Sequence, residues 1–447
     1  MPFTHKPAIL GGEPIFDKPF ARYATLGKEE KIAVQKVMDS GKLSGFMGVW
    51  SPEFYGGTKV KELESNWADY FGVDHAVAVN SATSALYASI GALGIEPGDE
   101  IIVTPTTMTA TVTGIVLYQA IPIFADICPH TFCIDPKEIL NKISNKTRAI
   151  IGVDIYGETA EWDAIREIAI KHNIKLIEDS AQSIGGTYNG KKSGTLADIG
   201  IFSLNRHKHI HCGEGGICVT NDDELAERIR LIRNHGEAVV GDKGTKNIVN
   251  IVGFNYRITE IESAIAIEQL KKLEYFVEKR ILISKKIIES FSNIEGITPP
   301  LLSNNLPNDC CRSPSTDTKH VYYYLCFKIE KEKLGMSRSA FVKAMIAEGI
   351  PLGEGGYMPI YLQPMYQQQI AFGSKGHPFK SPYYKKELDY SKGLCPISER
   401  MWFDDLFYVQ VHNYLPTNDQ INKFEDAANR ILKFKGEIEK INTEQYQ

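Results

Sequence analysis

The chain has 447 residues, of which 43% are hydrophobic and 23% charged, a balance typical of a globular enzyme with two or three domains. Its formal net charge of -5 excludes the surplus of clustered lysine and arginine that a nucleic-acid-binding protein needs. No stretch approaches the roughly 20 apolar residues of a membrane helix, and residues 1–16 lack a signal-peptide core, so a cytoplasmic protein is expected.

Short apolar runs alternate with amphipathic stretches through the first two-thirds of the chain. The helical patterns are clearest at residues 84–93 and 160–172. Such alternation predicts a mostly parallel sheet covered by helices, with ligands bound near the carboxyl ends of its strands. The runs that predict strands are residues 76–79, 100–103, 121–124, 149–153, 175–177, 199–202 and 216–219.

A long helical run at residues 262–288 marks a change of pattern. A connector rich in Pro, Asn and Ser follows at residues 299–318, and then a predicted strand at 322–329 and a predicted helix at 337–348. We therefore predict two domains. Residues 1–270 would hold an N-terminal arm and the large domain, and residues 271–447 the linking helix and a small C-terminal domain.

The eight cysteines are too few for a disulfide scaffold, and no CxxC pair indicates a zinc site. Six of them lie in apolar or strand-like contexts and are expected to be buried free thiols, while Cys310 and Cys311 are adjacent. The alternating His207, His209 and His211 lack a carboxylate or cysteine pattern that would complete a metal site. The sequence therefore predicts no metal ion.

Lys208 is the first candidate catalytic residue. It lies between Ser203 and a glycine-rich stretch, in the sequence SLNRHKHIHCGEGG of residues 203–216. A lone lysine is usually a solvated surface residue, and its pKa of about 10.4 makes the amine a poor nucleophile at neutral pH. An amine in this setting can instead condense with an aldehyde cofactor and then move protons.

Acidic and small polar residues follow other predicted strands. Asp179 lies just after an apolar run and could hold a protonated pyridine nitrogen, with Gln182 three residues later. Residues 81–84 follow a strand and open a helix, where backbone N–H groups can bind a phosphate. Taken singly, Asp179 is as well explained as a helix cap or surface acid, and residues 81–84 by capping alone.

Together these segments resemble the DegT/DnrJ/EryC1/StrS family of fold-type I aminotransferases, which act mainly on keto sugars and keto cyclitols. The resemblance extends from about residue 8 into the C-terminal domain. It implies an α/β fold, with a large domain built on a mostly parallel seven-stranded sheet and a smaller C-terminal α+β domain. The motifs that carry it are Ser81-Ala82-Thr83, Glu178-Asp179-Ser180-Ala181-Gln182, residues 203–216 and Gly253-Phe254-Asn255-Tyr256-Arg257-Ile258-Thr259.

The resemblance implies that the cofactor is pyridoxal 5'-phosphate. Lys208 would bind it covalently, Asp179 would face its pyridine nitrogen, and Gln182 would contact its ring. The residues implied to bind its phosphate are Ala82, Thr83 and Ser203.

The resemblance also implies a homodimer with shared active sites, because the family's asparagine matching Asn255 reaches the cofactor phosphate of the neighbouring subunit. Where the family usually stacks an aromatic residue on the cofactor ring, this chain has Met108, whose thioether can pack against a ring. The candidate substrate-binding residues are His235, Arg257, His320 and Tyr357.

The implied reaction moves an amino group from glutamate or glutamine to a nucleotide-linked keto sugar in amino-sugar biosynthesis. One alternative is a keto-deoxysugar dehydratase on the same scaffold, since some relatives replace the lysine with histidine. Another is a regulatory homologue without catalysis. Lys208 rather than a neighbouring histidine holds the key position, which favours transfer. Segments 50–57 and 353–396 exceed many relatives in length and suit either a substrate wall or surface loops.

Overall fold

The computed structural model describes residues 5–301, 306–307, 310–312 and 317–444. Within these residues, seven strands form one sheet in the order β1-β9-β8-β5-β4-β2-β3. Neighbouring strands are parallel except at β9, which runs antiparallel to β1 and β8. The predicted mostly parallel, seven-stranded sheet is confirmed. The first nine strands are β1 His75–Val79, β2 Glu100–Val103, β3 Ile121–Phe124, β4 Thr147–Val153, β5 Lys175–Asp179, β6 Thr187–Tyr188, β7 Lys191–Lys192, β8 Ile199–Ser203 and β9 Gly216–Thr220.

Helices cover this sheet on both faces. Every residue of β2, β8 and β9 is buried, which is the pattern of strands that have helices on both sides. Strands β6 and β7 form a separate hairpin. The helices of this part are α1 Lys28–Ser40, α2 Thr58–Phe71, α3 Ala82–Ala92, α4 Thr109–Leu117, α5 Pro136–Lys142, α6 Trp162–His172, α7 Asp223–Arg233, α8 Val240–Lys243 and α9 Glu260–Leu270.

The single helix predicted at residues 262–288 is wrong, because the structure has two helices there. Helix α9 ends at Leu270, and α10 spans Leu273–Phe291. Lys272, in the turn between them, places its ammonium 2.7 Å from a carboxylate oxygen of Glu30 on α1. The apolar periodicity continues across this short turn, so the sequence pattern did not reveal the break.

The C-terminal part is an α+β unit, as predicted. Its four-stranded antiparallel sheet has the order β10-β11-β13-β12. None of the helices in the described residues combines the length and the apolar character needed to cross a membrane. The elements are β10 Ile297–Thr298, β11 Leu325–Ile329, α11 Lys331–Leu334, α12 Arg338–Ala347, β12 Leu352–Glu354, α13 Pro364–Gln367, α14 Pro396–Arg400, β13 Leu406–Val409, α15 Asn418–Ile421, α16 Phe424–Lys433 and α17 Lys435–Glu444.

The strand predicted at residues 322–329 begins three residues late, at Leu325. Tyr322 has a φ of 49°, in the left-handed region, which extended backbone does not adopt. Its backbone N–H donates to Nδ1 of His320 at 2.9 Å. This turn leads the chain from the connector into the small sheet and directs Tyr323 toward the cavity described below.

The N-terminal arm packs against the C-terminal part. The buried carboxylate of Glu348 accepts hydrogen bonds from the backbone N–H groups of Ala8 and Ile15, at 2.9 and 3.0 Å. Arg430 on α16 lies 3.2 Å from the same carboxylate and also donates to the Glu13 carbonyl oxygen at 3.0 Å. The buried ion pair of Arg430 with Glu348 therefore joins α16 to the end of α12 and holds the N-terminal arm against both.

Arg430→Ala should lower the free energy of unfolding by about 3–5 kcal/mol, because it leaves the buried Glu348 carboxylate without its counter-charge. Chemical denaturation followed by circular dichroism measures the effect. Lys433→Ala, an exposed position on the same helix, is the matched control and should change stability by less than about 0.5 kcal/mol. Equal effects of the two substitutions would contradict this account of the arm.

Candidate active site

A cavity of about 210 Å³ lies where β5 and β8 end and α3 begins. This is the edge of a parallel sheet at which ligands are expected. The cavity contains eight of the residues selected from the sequence, namely Ala82, Thr83, Met108, Asp179, Gln182, Ser203, Lys208 and Tyr357. Its other lining residues are Ser81, Leu86, Thr107, Ala110, Thr111, Val153, Ala181, Asn205, His207, Glu214 and Tyr323.

Lys208 lies in the loop after β8 and is almost fully buried, with 8% of its surface exposed. Its backbone N–H donates to the Asn205 carbonyl oxygen at 2.9 Å, and its Nζ lies 4.3 Å from the centroid of the Tyr323 ring. Burial lowers the pKa of the Lys208 amine to about 8, although the nearby Asp179 carboxylate opposes the change. The amine is therefore far more nucleophilic at neutral pH than a surface lysine.

This lowered pKa predicts the pH dependence of aldehyde capture. Only the neutral amine attacks an aldehyde, so the rate at which cofactor-free protein bonds pyridoxal phosphate should increase with pH and level off above a pH of about 8. Stopped-flow absorbance at the wavelength of the bound cofactor measures this rate. A half-maximal rate near the ordinary lysine pKa of about 10.4 would show that burial does not tune this amine.

Asp179 is the last residue of β5 and is buried beside the cavity. Its Oδ2 accepts a hydrogen bond from the Thr111 hydroxyl at 2.9 Å, and its Oδ1 accepts one from the Ala181 backbone N–H at 3.2 Å. Burial raises the pKa of this carboxyl, while both hydrogen bonds act against that rise. The two donors fix the carboxylate in one orientation, available to a cationic partner.

Gln182 connects the cavity to the C-terminal part of the chain. Its Oε1 accepts a hydrogen bond from the Tyr156 backbone N–H at 2.9 Å, and its Nε2 donates to the Tyr357 hydroxyl at 3.0 Å. The Tyr156 and Tyr357 rings stack with centroids 5.9 Å apart. Gln182 and Tyr357, selected separately from the sequence, thus form one wall of the cavity.

The N-terminus of α3 supplies the anion-binding side. The Ser81 hydroxyl caps the helix by accepting from the Ser84 backbone N–H at 3.0 Å, and Ala82 and Thr83 form the first turn. At Gly216 on β9, an added Cβ would lie 2.5 Å from the Ser81 backbone, so only glycine permits this close approach of strand and helix. Unpaired N–H groups at such a helix start favour a phosphate.

Met108 also lies at the cavity, as the N-cap residue of α4. Its Sδ accepts a hydrogen bond from the Ala110 backbone N–H at 3.0 Å. The side chain is 51% exposed. A thioether in this position can pack against a bound ring.

Four of the residues selected from the sequence do not line the cavity of this single chain. Asn255 is exposed and accepts, through its carbonyl oxygen, from Asn80 at 3.4 Å. Arg257 donates to the Asn234 side chain at 2.9 Å, and His235 lies 3.7 Å from Glu237. His320 stacks on Tyr322.

Sequence reasoning missed two residues that the geometry makes prominent. Thr111 lies three residues after Met108, which was selected from the sequence, but nothing local shows that its hydroxyl faces Asp179. Tyr323 is the middle of three consecutive tyrosines, a run that could have been noticed. The histidine beside the lysine, His207, also lines the cavity, and burial lowers its pKa to about 4, so it is neutral at pH 7.

A family model described as the DegT/DnrJ/EryC1/StrS aminotransferase family matches residues 25–388. The chain belongs to this family. Among its relatives, the spore coat polysaccharide biosynthesis protein SpsC of Bacillus subtilis is 30% identical over 387 residues, which cover 85% of this chain and 92% of the relative. GDP-perosamine synthase of Caulobacter vibrioides is 34% identical over 311 residues, covering 69% and 79%.

A solved aminotransferase from Psychrobacter cryohalolentis has the same fold. It superimposes with a TM-score of 0.77 at 25% identity, over 94% of this chain and 100% of that one. The chain is therefore a pyridoxal-phosphate-dependent aminotransferase of fold type I, as the sequence resemblance implied.

The cavity of this aminotransferase has the donor set that pyridoxal phosphate needs. It contains a buried amine of lowered pKa, a buried carboxylate held by two hydrogen bonds, and the N-terminus of α3, which Gly216 allows to approach β9 closely. These groups match an aldehyde, a pyridine nitrogen and a phosphate, respectively. The residues present therefore fit the cofactor.

Proposed function

We propose that this enzyme transfers an amino group from glutamate or glutamine to a nucleotide-linked keto sugar. The observation that carries the proposal is the position of Lys208, a buried amine in the same cavity as the Asp179 carboxylate. Relatives named for polysaccharide biosynthesis and for perosamine, a GDP-linked product by its name, support an amino-sugar product.

Eight residues of the cavity have proposed roles toward the cofactor. Lys208 binds its aldehyde, and Asp179, steadied by Thr111, faces its pyridine nitrogen. Gln182 and Met108 contact its ring. The phosphate is held by Ala82, Thr83 and Ser203. When bound, pyridoxal phosphate supplies an aldehyde that accepts the amino group and a ring that stores electrons.

The proton transfers are assigned to Lys208. With a pKa of about 8, its Nζ can accept a proton and return it near neutral pH, as a general base and acid must. The Tyr323 ring lies 4.3 Å from this amine, and His207 lines the same cavity. In this proposal the chain places one amine of lowered pKa beside the reacting carbon.

We also propose a homodimer that completes the cavity. Asn255 is exposed and does not line the cavity of its own chain. It pairs through the backbone with Asn234, whose side chain donates to the Met47 carbonyl oxygen at 2.9 Å. Exposed apolar side chains flank this region, as at an interface. They are Met47, Val49, Trp50, Ile248, Val249 and Val252. Sedimentation equilibrium at micromolar protein concentration tests the proposal. A molecular mass equal to that of a single chain would contradict it.

We further propose that the substrate is contacted by His235, Arg257, His320 and Tyr357. His235 and Arg257 would reach the cavity of the partner subunit and not that of their own chain. The division of the chain at residues 270 and 271 and a cytoplasmic location stay predictions. Tyr357 is the best supported substrate residue, because its hydroxyl lies at the cavity wall.

The alternative of a dehydratase is addressed by the identity of residue 208. A histidine there would suit dehydration, whereas Lys208 occupies the position. A regulatory homologue would not need a buried amine opposite a buried carboxylate. Transfer is thus the function that the geometry favours.

The test is incubation of the cofactor-loaded enzyme with L-glutamate, and separately with L-glutamine. Consumption of the donor with formation of one equivalent of its 2-oxo acid, and conversion of the cofactor to its amine form, is the expected result. The charged enzyme is then offered a panel of nucleotide-linked keto sugars. Loss of water from the sugar without amine transfer would establish the dehydratase, and an absence of any cofactor absorbance would establish the regulatory homologue.

A further inference from the structure

Three cysteine thiols meet outside the active site. Cys128 follows β3 in the large-sheet part, while Cys310 and Cys311 lie in the connector before β11, 182 residues further along. The Cys128 and Cys310 sulfur atoms are 3.9 Å apart, and all three sulfur atoms lie within 4.8 Å of one another. Among the residues that the structure describes, this is the one group with metal-ligand spacing.

The spacing of the sulfur atoms matches thiolates around one metal ion. Zinc–sulfur bonds of about 2.3 Å in a tetrahedral site place the sulfur atoms about 3.8 Å apart. A disulfide would need a separation of about 2.05 Å, so the observed 3.9 Å is a contact between free thiols. Small adjustments of Cys310 and Cys311 would bring all three sulfur atoms onto one ion.

A positively charged side chain lies near Cys128. Lys328 lies close by, with its ammonium 3.1 Å from the Pro129 carbonyl oxygen. Three thiolates with one divalent cation carry a net charge of -1, which this ammonium can balance.

The connector is already held near Cys128 by a buried ion pair. Arg312, the residue after the cysteine pair, lies 2.7 Å from the Glu158 carboxylate, and both side chains are buried. The adjacent thiols are therefore brought to Cys128 by a contact that does not itself involve sulfur. Such prior placement lowers the entropy cost of forming a site from distant segments.

We propose that Cys128, Cys310 and Cys311 form a structural site for one thiophilic d10 cation, with zinc as the expected occupant, that fastens the connector to the large sheet. Water or another small donor would fill the fourth position. The site is independent of the aminotransferase chemistry. The sequence predicted no metal ion because Cys128 lies far from Cys310 and Cys311 in the chain and no pair of cysteines has CxxC spacing.

Metal analysis of the full-length protein tests the proposal. Protein expressed with added Zn²⁺ and dialysed without chelator should retain one zinc ion per chain by plasma mass spectrometry. After chelation, Co²⁺ should restore the occupancy and give the near-ultraviolet absorbance of cobalt–thiolate bonds. The chelated wild-type protein serves this purpose without any substitution, so misfolding of a variant does not obscure the result.

Variants assign the ligands. Cys128→Ala and Cys310→Ala should each lose at least tenfold in zinc retention, whereas Cys395→Ala, a buried cysteine outside the cluster, should keep the wild-type content. Wild-type protein that binds neither ion, or a Cys128→Ala variant that still binds cobalt with thiolate absorbance, would overturn the proposal. So would a count of six rather than eight titratable thiols in the denatured protein, which would indicate a disulfide.

Discussion

Lys208→Ala should abolish amino transfer, with a loss in kcat of about 10⁴-fold or more. The substitution removes the amine that bonds the cofactor aldehyde and the group that moves the proton. No other amine is among the residues lining the described cavity, so nothing in this chain can replace it. The release of 2-oxoglutarate from glutamate, followed with saturating keto-sugar acceptor, measures the effect.

The control for Lys208→Ala is Lys271→Ala. Lys271 is an exposed lysine, 2.8 Å from Glu268, and its loss should leave the rate within about twofold. Thermal unfolding of both variants checks that the fold is retained. If Lys208→Ala turned over at the wild-type rate in folded protein, the assignment of the catalytic amine would be wrong.

Asp179→Asn should lower kcat by about 10²–10³-fold and weaken retention of the cofactor on gel filtration. Asparagine keeps the shape but has no charge to pair with a protonated pyridine nitrogen, so the ring becomes a poorer electron acceptor. Cofactor content after gel filtration and single-turnover rates with glutamate measure the two effects separately.

Thr111→Val tests the same carboxylate with a smaller expected loss of rate than Asp179→Asn. It keeps the carboxylate but removes the hydroxyl that donates to Oδ2 at 2.9 Å. Loss of one hydrogen bond to a charged group should cost roughly tenfold in rate, well short of the loss in Asp179→Asn. An unchanged rate in Asp179→Asn would remove the role proposed for the carboxylate, whatever the effect of Thr111→Val.

The regular parts of the fold follow directly from the sequence. Continuous apolar runs such as residues 199–202 and 216–219 predict buried strands, because a strand covered on both faces needs apolar side chains on both. The residues at the carboxyl ends of the parallel strands β5 and β8, Asp179 and Ser203, then meet at one edge of the sheet. The joint role of Lys208 and Asp179 toward one cofactor was implied by the family resemblance and not by chain order and strand ends alone.

Contacts between distant segments could not be predicted in this way. The Thr111 hydroxyl reaches Asp179 across 68 residues, and Tyr323 comes to Lys208 from the C-terminal part. The turn between α9 and α10 contacts α1 through the ion pair of Lys272 with Glu30. Each depends on how elements pack, which local periodicity does not encode.

Reductive trapping tests the central claim most directly. Borohydride added to the enzyme with pyridoxal phosphate should fix the cofactor on a single peptide, the one that contains Lys208, and mass spectrometry should locate it on Nζ of that residue. Label on another lysine, or no label at all in folded protein, would contradict the account of this site.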